Sequence, residues 1–350
     1  MKKLVSIFAA GLIMLSAASA YNPPVLGEDF YELSSPRQLA NANSSAGGGI
    51  FSESPDSVII NPSLAASEQR VVLNLANTEL FASGSYGDAF QLGLTIPFKW
   101  AVLTTFANGV FSNSDVMNVG NSFNIRAGLS KEITDKLNLG MSLNTGIFWG
   151  YEDTFALSVN LGGLYTLGDV GFLKDTRFGV VIANLGKPFS RTTLPGIKED
   201  SFASSFPQIG TIQIGAAALF VSTKIVKIGA SMDFTTPLFQ NFIMDAGLQF
   251  SLKDMLVISV AEKLNIAEIA NGHKDFIPAI GISFKFDFDT SLDYAQKHGW
   301  NQSEMTVSAT YKNFYNAVHG ISEGVDLYLG MPDKEPPVIN IIFEDDGGNE

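Results

Sequence analysis

From about residue 70 onward, apolar side chains recur at every second position, which is the periodicity of a β-strand with one greasy and one polar face. Leu137, Leu139, Met141, Leu143 and Ile147 alternate with Asn138, Gly140, Ser142, Asn144 and Gly146. The same phase runs through Phe123, Ile125, Ala127 and Leu129 against Asn124, Arg126, Gly128 and Ser130, and again through Phe155, Leu157, Val159 and Leu161. Segmenting the chain on this pattern predicts strands near 70–83, 88–97, 100–109, 122–131, 136–149, 153–166, 175–186, 208–221, 225–234, 241–251, 255–263, 276–287, 303–314 and 322–330.

The connections between these strands alternate in length. Turns around 97–99, 132–135, 222–224 and 252–254 are short, whereas 110–121, 187–207 and 264–275 are long and fall at the opposite end. Short turns on one side and long loops on the other are the habit of a transmembrane barrel. The stretch 288–302, long but on the short-turn side, departs from that rule.

A soluble sandwich also alternates. Here, however, the polar phase is built of Gly, Ser, Asn and Ala rather than the Lys and Glu that solvate an exterior. The strands also exceed the usual globular length of about five or six residues and match a tilted bilayer crossing of about nine to eleven. Closure is what satisfies every strand backbone in hydrocarbon. The expected fold is therefore all-β, a transmembrane antiparallel β-barrel of about fourteen strands over 70–331.

The ends of the chain read differently. Met1-Lys2-Lys3, the apolar run Leu4 to Leu15 and Ala18-Ser19-Ala20 form a signal peptide over 1–20. Residues 21–69 are turn-rich, with Pro23-Pro24, Gly47-Gly48-Gly49 and Ser54-Pro55-Asp56, and carry apolar punctuation at Val58-Ile59-Ile60. They are expected to be an N-terminal hatch, because a barrel this wide otherwise encloses an aqueous hole. Residues 332–350 form an acidic tail, expected to be periplasmic and disordered, with the alternative that Val338 to Phe343 adds a strand to a periplasmic partner of the 331–350 region.

Composition removes several functions. The chain has 350 residues, 22 Lys+Arg against 35 Asp+Glu, and no Cys. A net charge of −13 argues against nucleic acid, and the lack of Cys excludes disulfides and thiolate metal sites. The three histidines, His273, His298 and His319, stand apart, without a nucleophile elbow or a His-Glu-x-x-His pattern. No catalytic residue, no metal site and no cofactor is assigned, and the chain is not expected to be an enzyme.

The run Ser45-Ala46-Gly47-Gly48-Gly49-Ile50-Phe51, then Asp56, then Ile60-Asn61-Pro62-Ser63-Leu64-Ala65 resembles the N-terminal region of FadL-like outer-membrane proteins, with Ser63 where that family usually has Ala. The likeness is nearest to the spirochaete FadL-like and PorV-type branches and extends over nearly the whole mature chain. It implies an outer-membrane location, a fourteen-stranded barrel, and a hatch in which Gly47, Gly48, Gly49, Asn61 and Pro62 lie near the ligand path. It further implies transport of long-chain fatty acids or other hydrophobic small molecules in contact with outer-membrane lipid. A PorV-type role in secretion or surface interaction is the alternative.

A fatty-acid site needs an apolar channel and a cation for the carboxylate. Among lumen-phase cations, Arg126, Arg177 and Lys285 are the candidate ligand contacts, with Lys227 and Lys312 behind them. The competing reading for each is pairing with a lumenal acid such as Glu132, Asp233, Asp245, Asp287 or Asp326.

Overall fold

Alternation of the kind just described lets a strand present its small polar residues inward and its apolar residues outward, and fourteen such strands close on themselves. The computed structural model describes residues 33–332, apart from 34, 113–120, 150–153, 188–209, 271–275, 315 and 317. The signal peptide, the first part of the N-terminal segment, nearly all of the acidic tail, His273 and most of the three long loops therefore lie outside the described residues.

The strands are β1 (Val71–Ala82), β2 (Ser85–Pro97), β3 (Val102–Ser112), β4 (Asn121–Thr134), β5 (Leu137–Trp149), β6 (Thr154–Val170), β7 (Leu173–Lys187), β8 (Thr211–Ser222), β9 (Val226–Pro237), β10 (Ile243–Leu252), β11 (Leu256–Asn265), β12 (Ala279–Asp289), β13 (Gln302–Phe314) and β14 (Val318–Leu329). Each pairs antiparallel with its sequence neighbours, and β1 closes the barrel on β14 with Val71 opposite Leu329 and Phe81 opposite His319. The strand count matches the sequence reading.

Two strands begin earlier than the periodicity indicated. β2 starts at Ser85 because Gly84, at φ +79°, closes a tight hairpin that extends the ladder to Ala82 opposite Ser85. β14 starts at Val318, where the pair with Phe314 continues the β13 ladder. The long stretch after β12 holds a short helix, Asp293–Lys297, at the end of the barrel where the other connections are short.

Burial confirms which face is which. On β5, Leu139, Met141, Leu143 and Ile147 are exposed while Asn138, Ser142 and Asn144 are buried. The exterior is an apolar surface bearing aromatic side chains at both ends of the strands, for example Phe98 and Trp100 at one and Phe155 and Phe242 at the other. No helix among the described residues is long and apolar enough to cross a membrane. The strands cross instead, as a barrel of the outer-membrane type.

Candidate functional site

Residues 33–69 run inside the barrel. A short helix, Pro36–Leu39, starts from Ser35, whose hydroxyl accepts from the Gln38 amide, and Pro36 stands at its first position, where a missing N–H costs nothing. A second helical turn, Ser57–Ile60, and a 3₁₀ turn, Leu64–Ser67, follow. Gly47 and Gly48 lie at φ +80° and +84°, a conformation that side chains resist, so this turn needs its glycines. It aims the Gly48 and Gly49 carbonyls at the wall.

Lumen-facing side chains hold this segment from nearly every direction. On β8 and β9, Gln213 Nε2 donates to the Asn43 carbonyl at 3.0 Å, and Asp233 accepts from the Ser45 amide at 2.8 Å and from the Ser45 hydroxyl. On β10, Gln249 Oε1 accepts from the Ile50 amide at 2.7 Å. On β13 and β2, Thr310 Oγ1 donates to the Pro36 carbonyl at 2.6 Å and Gln91 donates to the Leu33 carbonyl. Arg37 forms a 2.7 Å ion pair with Asp326 of β14 and donates to the Tyr328 hydroxyl at 2.8 Å, which in turn donates to the Glu53 carbonyl at 2.5 Å. Anchors spread over so many strands favour one arrangement of the segment, although Gln91 Oε1 and Asp233 Oδ2 are left without a partner.

Wall glycines make the room. Gly140 of β5 and Gly162 of β6 are register partners, and Asn61-Pro62 fills the notch that their missing side chains leave. Backbone also lies against backbone where Gly49 meets Gly229 of β9, and Gly179 of β7 sits under Ser45.

The residues singled out by sequence divide into two groups. Asn61 is a tie point: its Nδ2 donates to the Ser45 carbonyl at 2.7 Å and to the Gly163 carbonyl at 3.2 Å, while its Oδ1 accepts from the amide and hydroxyl of Ser63. Pro62, Gly48 and Gly49 join it in contact with the wall, whereas Gly47 packs within the segment, against Phe51 and Leu64. Arg177 belongs to the same assembly, because its Nη2 donates to the Gly48 carbonyl at 2.7 Å and its guanidinium lies 4.6 Å over the Phe51 ring. Arg126 lies apart on β4, buried, with Nη1 donating to Asn108 Oδ1 at 3.0 Å. Lys285 pairs with Glu304 at 2.5 Å, and Lys227 with Asp254 at 2.8 Å. Lys312 sits 4.8 Å over the Phe314 ring. Of the acids, Asp233, Asp245 and Asp326 are buried, and Glu132 and Asp287 are exposed.

A cavity of about 490 Å³ remains between the segment and the short-turn ends of β9 to β14. Arg37, Phe51, Glu53, Arg70, Lys285 and Tyr328 line it. Arg70 bridges Glu68 and Glu304 at 2.9 and 2.8 Å, joining the segment's exit to the wall. Burial, reinforced by neighbouring Glu68, pushes the Glu53 carboxyl up to about 8. Burial and the nearby Asp326 push Asp56 up to about 6. Burial alone lowers the Arg37 pKa, but Tyr328 and Asp326 outweigh it and raise it. At the long-loop end, Leu33, Leu80, Ala89, Val110, Phe314 and Val318 form an apolar cluster, and midway Ala46, Leu64, Leu164 and Ala217 form another beside Phe51.

Sequence reasoning placed Asp233 and Asp326 in the lumen only as partners for wall cations, and did not find the anchors Gln213, Gln249, Thr310 and Tyr328. Their signal is a longer polar side chain on the inward phase, where most neighbours are Gly, Ser or Asn, but nothing local says what each one holds.

No family model matches the chain, and no curated protein does. Solved structures do. The toluene transporter TbuX of Ralstonia pickettii superposes with a TM-score of 0.51 at 9% identity, over 87% of this chain and 100% of that one. The toluene transporter TodX of Pseudomonas putida gives 0.50 at 11% identity, over 90% and 100%. The barrel shares their fold. The deltaS2 mutant of TodX, a monoaromatic hydrocarbon channel, gives 0.51 at 10% identity, over 84% and 100%.

Proposed function

We propose that the protein is a FadL-like outer-membrane channel that passes hydrophobic small molecules, with residues 21–69 as its hatch. The observation that carries this reading is a closed barrel whose lumen is occupied by the chain's own N-terminal segment, tied to the wall by side chains of at least seven strands. Such a plug has a use when something must pass under control. Apolar stations stand at the long-loop cluster, at the cluster beside Phe51 and, through Phe51 and Met255, in the short-turn cavity. That the similar folds are toluene and monoaromatic hydrocarbon carriers by name agrees with a hydrophobic cargo.

In this reading Arg177 and the Gly47–Gly49 turn set the resting position of the hatch, and Asn61-Pro62 docks it in the β5–β6 notch. Lys285, at the cavity, meets an acidic cargo such as a fatty acid by exchanging Glu304 for the cargo's carboxylate. Arg126 offers a second contact higher in the lumen. The test is uptake of radiolabelled toluene and of a labelled long-chain fatty acid by cells lacking other routes. Uptake above the empty-vector level, reduced by Lys285→Gln for the acid alone, supports both parts. No uptake of either compound refutes transport.

One observation favours the second reading, a PorV-type barrel that serves interaction rather than transport. The hatch is packed backbone to backbone against Gly229 and the Gly140–Gly162 notch, which suits a permanently closed scaffold. A barrel that takes up neither compound yet captures a periplasmic or surface protein through residues 331–350 decides for it.

A further inference from the structure

Asp56 stands at the N-cap of the Ser57–Ile60 turn and is completely buried, yet its carboxylate does not cap that turn and neither oxygen accepts an aligned hydrogen bond. The polar groups beside it are Asp326, Ser35, Arg37 and Gln38. Arg37 is not free to serve as its counterion, because that guanidinium pairs with Asp326 at 2.7 Å and donates to Tyr328 and Ser52. Asp56, Asp326 and Arg37 therefore carry one uncompensated negative charge between them, in a place almost closed to solvent, where an unpaired charge is strongly disfavoured. With its carboxyl pushed up to about 6 by burial, Asp56 is still largely ionised at neutral pH.

Around this carboxylate lie buried oxygens that have no partner either: Gln38 Oε1, Ser54 Oγ and Asn74 Oδ1. The amide nitrogens of Gln38 and Asn74 are committed, to Ser57 Oγ at 3.4 Å and to Asp326 Oδ1 at 2.7 Å, so the oxygens are their free ends. Ser54 is two residues before Asp56, and its amide donates to the same Ser57 hydroxyl at 3.3 Å. Asn74 belongs to β1, and Gly93 of β2 lets the segment come up to it: a Cβ at Gly93 would meet Pro55 Cβ on one side and Asn74 Cβ on the other.

We propose that these oxygens form a sodium site, with Asp56 as the charged ligand and Gln38, Ser54 and Asn74 as neutral ones, that latches the lumenal segment to β1. Hard cations take carboxylate and side-chain carbonyl oxygens together in this way. Charge decides the valence. One positive charge neutralises the cluster, whereas a divalent ion leaves a surplus beside Arg37. No three acidic or imidazole side chains gather as a metal-binding group among the described residues, so the donor set is one free carboxylate with neutral oxygens. The cavity at the short-turn end, lined by Arg37 and Gln38, reaches the edge of the site and gives the ion its way in. The ion does for the ionised carboxylate what a proton does at lower pH, removing the buried charge. Since three ligands come from the segment and one from the wall, the ion binds the docked segment and not the released one, and so stabilises docking by mass action.

The test is limited proteolysis of residues 33–69 in the full-length barrel in uncharged detergent, above the Asp56 pKa, in sodium chloride against choline chloride at equal ionic strength. At about ten times its dissociation constant sodium raises the docked-to-released ratio about eleven-fold, read as nicking slower by about that factor than in choline. Asp56→Asn removes the charge that needs the ion, so its nicking is slow in both salts. Gln38→Glu gives the site a second carboxylate of the same shape, and its protection passes from sodium to calcium. A merely structural role for either residue moves neither salt dependence. Equal nicking of the wild type in sodium and choline, protection of the wild type by calcium alone, or an undiminished sodium effect in Asp56→Asn overturns the proposal. The inference rests on the docked segment and not on any cargo, so these outcomes and those of the uptake assay are separable.

Discussion

The notch between β5 and β6 gives the sharpest handle on the hatch. Substituting Gly140 by Ala adds one methyl group that falls on the Pro62 carbonyl carbon and oxygen and the Ser63 amide. These are backbone atoms and cannot swing aside as a side chain can. The strand itself tolerates the change, since Gly140 is extended and paired with Ser130 and Gly162. The strain therefore appears in the docking of the segment and not in the wall. Overpacking of this kind costs about 1–3 kcal/mol, which shifts the docked-to-released ratio by roughly 5- to 150-fold. The control lies next door: an added Cβ at Gly163 comes no closer than 3.6 Å to Leu139 Cδ2, ordinary contact on the outer face. In planar bilayers Gly140→Ala should show more frequent open events than wild type, and limited proteolysis should nick residues 33–69 faster, with Gly163→Ala unchanged in both. Identical behaviour of the two alanine variants would falsify the notch as the docking point.

Removing Asp233 takes the acceptor from the Ser45 amide and hydroxyl and from Gln213. Asp233→Ala should weaken docking by about 1–3 kcal/mol, read as accelerated hydrogen exchange of the 43–50 amides with the strand amides unaffected. The raised pKa values of Glu53 and Asp56 mean that docking is favoured when both are protonated. Their contribution is full below the ordinary carboxylate range and is lost as pH rises through about 6 for Asp56 and about 8 for Glu53. Protease nicking of the segment should increase from pH 5 to pH 9, and Asp56→Asn should flatten the lower part of that rise. A pH-independent rate in the wild type refutes the linkage. Deleting residues 21–69 should leave a barrel that inserts and conducts ions, because the strands satisfy their own backbone; a closed deletion protein makes the segment only a tail. Epitope tags in 110–121, 187–207 and 264–275 should label on intact cells and tags at 97–99 and 252–254 should not.

The strands were legible because inside and outside differ by chemistry at every step, Gly, Ser and Asn against Leu, Ile and Phe, so a two-residue period carries both the element and its orientation. The irregularities were not. The register shifts between β6 and β7 near Thr166 and Gly168, and the positive φ of Asp175 and Asn184, have no counterpart in the alternation. For the site, sequence supplied the chemistry of Arg177 but not its partner. A guanidinium seeks paired oxygens, and those it meets here are the carbonyls of Gly48 and Gly49, nearly 130 residues earlier in the chain. Arg37 and Asp326 are separated by 289 residues, and no local pattern connects them.

That separation constrains how the molecule is built. The hatch touches β13 and β14, the last strands to be synthesised, as well as β2 and β7 to β10, and the same β14 must pair with β1 to shut the cylinder. Threading a folded segment through a finished lumen is obstructed by the very contacts that hold it. The N-terminal segment must therefore wait, loosely, while the sheet grows around it, and the β1–β14 seam seals the two together in one late step of high contact order. Assembly of the wall and installation of the plug are a single event, and a chain that closes without its plug has no route back except unzipping the seam.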